Sequence, residues 1–192
     1  MNYTLQRVLA VFLLFLALPL LCLIALGRLL SGKTVFFRSI RFGRGKRKFV
    51  LYKFCTMKKS PPEFMTPEQQ KEWEEFGKLK RDPRVSRFGF FLRRFSLDEL
   101  PQLWNVVRGD MALVGPRPII EAEMPIYGRN SDLIHSVKPG ITGLWQVSGR
   151  NLINYRRRIA INRYYVRHRS AKLDLWIVWR TVWAVAGGRG AF

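Results

Sequence analysis

In the run FLRRFSLDELPQLWNVVRGDMALVGPRP, two adjacent carboxylates, Asp98 and Glu99, follow the arginine pair Arg93 and Arg94. They precede Arg117, which is held between Pro116 and Pro118. A carboxylate at a helix N-terminus is kept ionised by the helix dipole, which suits it to attack phosphorus or to ligate magnesium, and its neighbour can take the other role. The same letters also fit something plainer: Ser96 with Glu99 three residues later matches a capping box, so the pair can simply open a helix. Pro101 counts against that register, because its missing N–H and its ring disturb a first turn begun at Ser96. On this pattern alone, catalysis and capping both stand. Arg93 is a natural phosphate fork in a chain short of acid, whereas Arg94 reads as a solvated charge. The backbone of Arg117 is stiff on both sides, which presets its side chain toward an anion or marks a rigid turn. Further on, KPGITGLWQVSGR, Lys138 to Arg150, reads as a glycine-containing loop whose N–H groups can cradle a phosphate. His135 and His168 are isolated, without HxxxH or HExxH spacing, and read as ordinary surface or core residues.

Composition limits the partners. The chain has 192 residues, enough for one domain with a sizeable core and too few for two large ones. Thirty-four Lys and Arg against 13 Asp and Glu give a net charge of +21, yet 48% of the residues are hydrophobic and 14% aromatic. That excludes a disordered basic tail and leaves a folded domain that meets an anion: nucleic acid, a membrane face or a phosphorylated substrate. Cys22 lies in an apolar run and Cys55 far from it, so neither a disulfide framework nor a zinc cluster is indicated, and a reducing, cytosol-facing location follows. There is no internal repeat, no GxGxxG and no P-loop.

The elements that must position these residues are legible in outline. Val8 to Leu26 holds 19 residues without a charge, long enough for a membrane-embedded helix. A cleavable signal peptide would have a shorter apolar region and a small-x-small site. Pro19 predicts a kink, or a helix-break-helix hairpin that enters and leaves by one face. The flank from Arg28 to Lys59 is rich in Lys and Arg and precedes the first carboxylate, Glu63, which places it on the cytoplasmic side. Charge alone leaves crossing and re-entrant topologies open. TVFFRSIRFG and KFVLYKF predict two short strands joined around Gly43 and Gly45. Thr66 as N-cap, Pro67, Gln69 and Gly77 mark one short acidic helix. YRRRIAINRYYVRHR carries six arginines with no acid before Asp174. In a C-terminal helix over about 172–186, Trp176, Trp179 and Trp183 recur at helical spacing beside Arg180, which predicts an interfacial stripe or, more plainly, a core-facing one.

The ordered set KFCTM, FLRRFSLDELPQLWNVVRGDMALVGPRP, KPGITGLWQVSGR and LDLWIVWRTVWAV resembles, along nearly the whole chain, the small monotopic phosphoglycosyl transferases of the bacterial sugar transferase type. The resemblance implies an α+β, predominantly helical fold: a re-entrant membrane helix over 1–30, and a catalytic domain over 31–192 with interfacial amphipathic helices, at the cytosolic face of the bacterial inner membrane. It implies transfer of a sugar-1-phosphate from a UDP-sugar to polyprenyl (undecaprenyl) phosphate, releasing UMP, in glycoconjugate or exopolysaccharide synthesis. By the same resemblance Asp98 attacks phosphorus to form a covalent intermediate and Glu99, with Asp98, holds Mg²⁺. Arg93, Arg117 and Arg150 match positions expected to hold phosphates or nucleotide. An anionic phospholipid membrane is the expected surface, nucleic acid is not expected, and a second copy of the chain is an open partner. Three positions depart from the family pattern: Leu18 before Pro19 where a Ser is usual, Cys55 for Arg, and Asn162 for Asp. The chain resembles the minimal core of larger relatives. The alternatives are a weakened family member acting as a membrane scaffold, and a basic protein binding nucleic acid or a membrane surface.

Overall fold

The computed structural model describes residues 2–57, 66–76, 79 and 82–187. It is a mostly helical α+β arrangement in which a long apolar helix lies along a small domain. Helix α1 (Tyr3–Leu30) starts where Asn2 Oδ1 accepts from Thr4 N at 3.0 Å and ends where Ser31 Oγ donates to the Gly27 carbonyl at 2.7 Å. Gln6, Ala10, Leu14, Ala17, Leu21, Ile24 and Arg28, three or four residues apart, form the stripe turned toward the domain. The outer face, with Phe12, Phe15 and Leu23, is exposed. Among the described residues α1 is the one helix long and apolar enough to cross a membrane.

Pro19 does not divide α1, although its ring predicted a break. The proline lies on the exposed face, while stripe residues on both sides of it, Leu14 and Ala17 before and Leu21 and Ile24 after, are packed against the domain. That packing keeps the helix continuous through Pro19 against the local cost of a helical proline.

Strands β1 (Phe36–Phe42) and β2 (Lys48–Phe54) pair antiparallel, with Phe36 opposite Phe54 and Phe42 opposite Lys48. The expected turn is a short 3₁₀ segment in which Gly45 takes φ +65°. Helix α2 (Pro67–Phe76) is capped as its sequence predicts: Thr66 N donates to Gln69 Oε1 and Gln69 N to Thr66 Oγ1. Gly77, expected to close it, lies outside the described residues.

Helix α3 (Arg87–Arg94) is capped by Ser86, whose Oγ accepts from Gly89 N at 3.0 Å. A Cβ on Gly89 would stand 2.2 Å from the Thr56 carbonyl oxygen, so only glycine lets α3 approach the end of the hairpin this closely. A 3₁₀ turn at Leu97–Glu99 leads to α4 (Gln102–Arg108). Fully buried Asn105 on α4 accepts from Tyr52 N at 3.2 Å and donates to the Val50 carbonyl at 2.7 Å, tying α4 to the hairpin.

Strand β3 (Ala112–Val114) pairs in parallel with β4 (Gly140–Thr142). The connection holds two short helices, α5 (Met124–Tyr127) and α6 (Asn130–Ile134). Gln6 Oε1 of α1 accepts from Leu113 N and Val114 N at 2.8 and 3.3 Å. The stretch expected as a phosphate-cradling loop is instead β4 followed by α7 (Leu144–Val147). Its glycines serve close packing: a Cβ on Gly140 would stand 2.1 Å from Gly115 N.

Helices α8 (Tyr155–His168) and α9 (Ala171–Gly187) complete the chain. α9 buries Asp174 and Ile177, and Asp174 accepts from Tyr165 Oη at 2.8 Å. Trp176, Trp179 and Trp183 are all exposed, which settles their stripe as outward-facing rather than core. Arg180 lies 5.7 Å over the Trp176 ring. One core cluster joins α1, β2 and α4 through Ala10, Leu51, Leu103 and Val106, and another joins β3, α7, α8 and α9 through Val114, Val147, Tyr165 and Ile177.

Candidate active site

The hairpin, the Arg93–Glu99 segment, the Pro-Arg-Pro turn and α7 surround a cleft of about 1460 Å³, lined further by Leu13, Leu16 and Ala17 of α1 and by Ala184 and Val185 of α9. Asp98 and Glu99 stand in its wall, Asp98 only 7% exposed. They do not open a helix through a capping box. Ser96 takes φ +54° in the left-handed region and makes no side-chain cap, because Pro101 moves the start of α4 to Gln102. Ser96 Oγ instead accepts from Arg150 Nη2 at 3.0 Å, and Arg150 is itself left-handed at φ +53°. Two of the three non-glycine residues with positive φ among the described residues therefore meet beside the carboxylate pair. Such backbone costs about 1–3 kcal/mol each and persists where packing over-determines it, commonly at functional sites.

Arg93 Nε donates to Thr56 Oγ1 at 2.9 Å, the contact that the close approach at Gly89 makes possible. Burial pulls the Arg93 guanidinium below its ordinary pKa, opposed by Asp98, Asp82 and Glu99. Burial acts likewise on Arg150, opposed by Glu99 and Asp98. Both arginines therefore lie within the field of the dyad and remain cationic near neutrality. Lys53 of β2 is paired with Glu99 Oε1. Asp82 accepts from Arg84 N and Nε at 3.0 and 2.8 Å, and both residues line the same end of the cleft. Arg94 is exposed, as expected.

Arg117 lines the cleft but belongs to a different group. Its guanidinium lies 5.6 Å from the Trp145 ring, near Arg41, Arg158 and Glu123. No motif in the sequence points to Arg41, Arg158 or Glu123. Arg158 did carry one cue: in helical register it shares the face of Asn162 and Tyr165, all buried, so an arginine there sits on the inner side of α8. His135 is buried against Ser131 and His168 is exposed, and neither lines the cleft. Cys55 lines it, its Sγ donating to the Met57 carbonyl at 3.3 Å. Asn162 is buried and does not line it.

Among the described residues no group of three or more His, Cys, Asp and Glu side chains is placed to hold a metal ion. Asp98 and Glu99 are two adjacent carboxylates in a cleft rich in Lys and Arg side chains. That donor set fits Mg²⁺, which takes one or two carboxylates and completes its shell with water and substrate phosphates.

A family model described as bacterial sugar transferase matches residues 1–188. The exopolysaccharide production protein ExoY of Rhizobium meliloti (strain 1021) is 41% identical over 181 residues, covering 91% of this chain and 80% of that protein. The UDP-galactose-lipid carrier transferase of Erwinia amylovora is 48% identical over 158 residues, 79% of this chain. The undecaprenyl-phosphate galactose phosphotransferase of Salmonella typhimurium is 38% identical over 195 residues, 98% of this chain. The matched stretch spans only 33% of the Erwinia protein and 41% of the Salmonella one.

Proposed function

The chain belongs to the bacterial sugar transferase family, and on that premise we propose that it moves a sugar-1-phosphate from a UDP-sugar to undecaprenyl phosphate, releasing UMP, for exopolysaccharide synthesis. The relatives' names support the two substrates: one acts on a UDP-sugar and a lipid carrier, another on undecaprenyl phosphate. The observation that carries the reading is the placement of Asp98, nearly buried and flanked by cations, in a cleft whose other wall is built by apolar side chains of α1 and α9. One site is thereby open to a water-soluble nucleotide sugar and to a lipid phosphate.

The chemistry is a double displacement. An Asp98 carboxylate oxygen attacks the sugar-proximal phosphorus, the bond from that phosphorus to the bridging oxygen breaks, and UMP leaves with the electron pair. An oxygen of the lipid phosphate then attacks the same phosphorus, the bond to Asp98 breaks, and the carboxylate is restored with polyprenyl diphosphosugar as product. Arg93 and Arg150, fixed by Thr56 and Ser96, hold the phosphoryl oxygens in line and stabilise the charge that grows on them. Lys53 fixes Glu99. Mg²⁺, held by Glu99 with Asp98, would supply charge neutralisation for the departing phosphate.

At the membrane, both ends of α1 are held against the domain. Tyr3 Oη accepts from Lys138 N at 3.2 Å near its start, and Ile24 packs on Phe54 and Leu92 near its end. This supports monotopic association with the cytosolic face, α1 embedded in one leaflet and the tryptophans of α9 at headgroup level.

The test is UMP release by the detergent-purified chain with undecaprenyl phosphate, Mg²⁺ and a panel of UDP-sugars, beside Asp98→Asn. Turnover that requires lipid, metal and Asp98 is expected. An active Asp98→Asn variant overturns the covalent route, and no turnover on any donor overturns the assignment in favour of a scaffold.

A further inference from the structure

Elsewhere in the wall of the same cleft, three arginines gather around another carboxylate, Glu123, and Arg41 among them also feels the charge of Glu99. Glu123 Oε2 accepts from Ile120 N at 3.1 Å and lies 3.9 Å from Arg41 Nη1, while Oε1 accepts from Tyr155 Oη at 3.1 Å and lies 3.9 Å from Arg158 Nη1. Arg41 also donates to the Pro118 carbonyl at 3.3 Å, which sets it beside Arg117. Arg158, only 1% exposed, is sandwiched by the Trp145 and Tyr155 rings, each 4.7 Å away.

The group is rich in donors and poor in acceptors. Arg41 Nε, Arg117 Nε, Arg158 Nε and Nη2, and Trp145 Nε1 are buried without a hydrogen-bond partner among the described residues. Buried N–H groups of charged side chains are costly to leave unmade, and three guanidinium charges against one carboxylate repel one another. Burial, and next Arg117, pull Arg41 down to about 10, still protonated at neutral pH. A purely structural ion-pair network would be balanced. This one is missing an anion with several acceptor oxygens, and a phosphoryl group has three, in a geometry that guanidinium forks match. Arg41, Arg117, Glu123, Trp145 and Tyr155 all line the cleft, so such a group has access.

We propose that Arg41 and Arg117, held in place by Glu123 and Arg158, form a second phosphate subsite in the cleft, separate from the one at Asp98. It binds a phosphoryl group other than the one under attack. Glu123 and Arg158 are positioning residues: they set the direction of the two cleft-lining arginines. The inference rests on the proposed function in one respect, that both substrates are phosphates. The group bound belongs either to the nucleotide half of the donor or to the head of the lipid acceptor.

Arg41→Gln and Glu123→Gln in the full chain, purified in detergent, separate these sources. If the subsite takes the donor, KM for the UDP-sugar rises tenfold or more, inhibition by UMP weakens in step, and kcat stays within about threefold. If it takes the acceptor, KM for undecaprenyl phosphate rises instead. Arg41→Lys, which keeps the charge, recovers part of the loss. A fall in kcat with both KM values unchanged overturns the subsite. A second measurement does not depend on turnover: the melting temperature with UMP, or with a short-chain polyprenyl phosphate. The subsite predicts that one of these stabilises wild type and Asp98→Asn but not Arg41→Gln. Equal stabilisation of Arg41→Gln, or none of wild type by either ligand, overturns it even if the transferase assay succeeds. Stabilisation lost in Arg41→Gln upholds it even if that assay fails.

Discussion

The two ends of the cleft use the same residue types in opposite proportions. At the dyad end Asp82, Asp98 and Glu99 meet Lys53, Arg84, Arg93 and Arg150, close to balance, and two residues there, Ser96 and Arg150, sit in left-handed backbone. At the Glu123 end three arginines share one carboxylate, and Arg41 and Arg158 stand on a regular strand and helix. The difference separates two tasks. On the proposed function, the balanced, strained end orients its carboxylates for attack. An end with surplus positive charge on regular elements is suited to grip an anion that completes it.

The largest expected effect lies at the first end. Asp98→Asn keeps the shape and removes the nucleophile, so turnover falls by on the order of 10³-fold or more, with membrane association unchanged. If it fell no more than the turnover of Arg41→Gln, the division of labour would collapse. Next comes Arg93→Gln, which removes a fixed charge from the reacting phosphate. A fall in kcat of about 10²-fold with little change in KM is expected, the reverse of the pattern for Arg41. Gly89→Ala sharpens the same contrast through packing. The new Cβ meets the Thr56 carbonyl at 2.2 Å, which costs about 1–3 kcal/mol, lowers the melting temperature by several degrees and displaces Arg93 from Thr56. An unshifted melting temperature and kcat would mean that this approach does not set the arginine.

The smallest effect is at the Glu123 end. Burial raises the Glu123 carboxyl, but Arg117, the Ile120 N–H, Arg41 and Arg158 outweigh it and hold the group below its ordinary 4.5. A carboxyl lowered on folding contributes stability that is present above its unfolded pKa and lost as pH falls through the folded one. Wild type should therefore lose stability below pH 4.5 more steeply than Glu123→Gln, read by melting temperature across that range. Parallel curves would show that the arginines do not rely on this charge.

Local chemistry was legible in the letters where one element decides it. The β1–β2 hairpin and the capping box of α2 follow from spacing within a few residues, and the tryptophan stripe of α9 from its helical period. One open alternative closed and one local reading failed, each for a physical reason. Ser96-x-x-Glu99 has the letters of a capping box, yet Pro101 is best placed just ahead of α4 and shifts the helix start past the pair. The glycines of KPGITG look like a loop, yet their role is the contact between β4 and the Gly115 backbone. Pro19, taken alone, implies a broken helix, and only the packing of residues on both sides of it against the domain shows why α1 is continuous. The Glu123 group was not legible because its members come from β1, the Pro-Arg-Pro turn, the Glu121–Glu123 turn and α8, and no periodicity links residues so far apart.

The central claim is that Asp98 becomes covalently attached to the sugar phosphate. Intact-mass spectrometry of the detergent-purified chain, incubated with its UDP-sugar and Mg²⁺ but without lipid acceptor, tests it most directly. The account predicts a mass increase of one sugar phosphate per chain, matched by stoichiometric UMP, lost on adding undecaprenyl phosphate and absent in Asp98→Asn. Turnover with lipid present, but no adduct and no UMP in its absence, would contradict it and point to direct transfer between the two substrates.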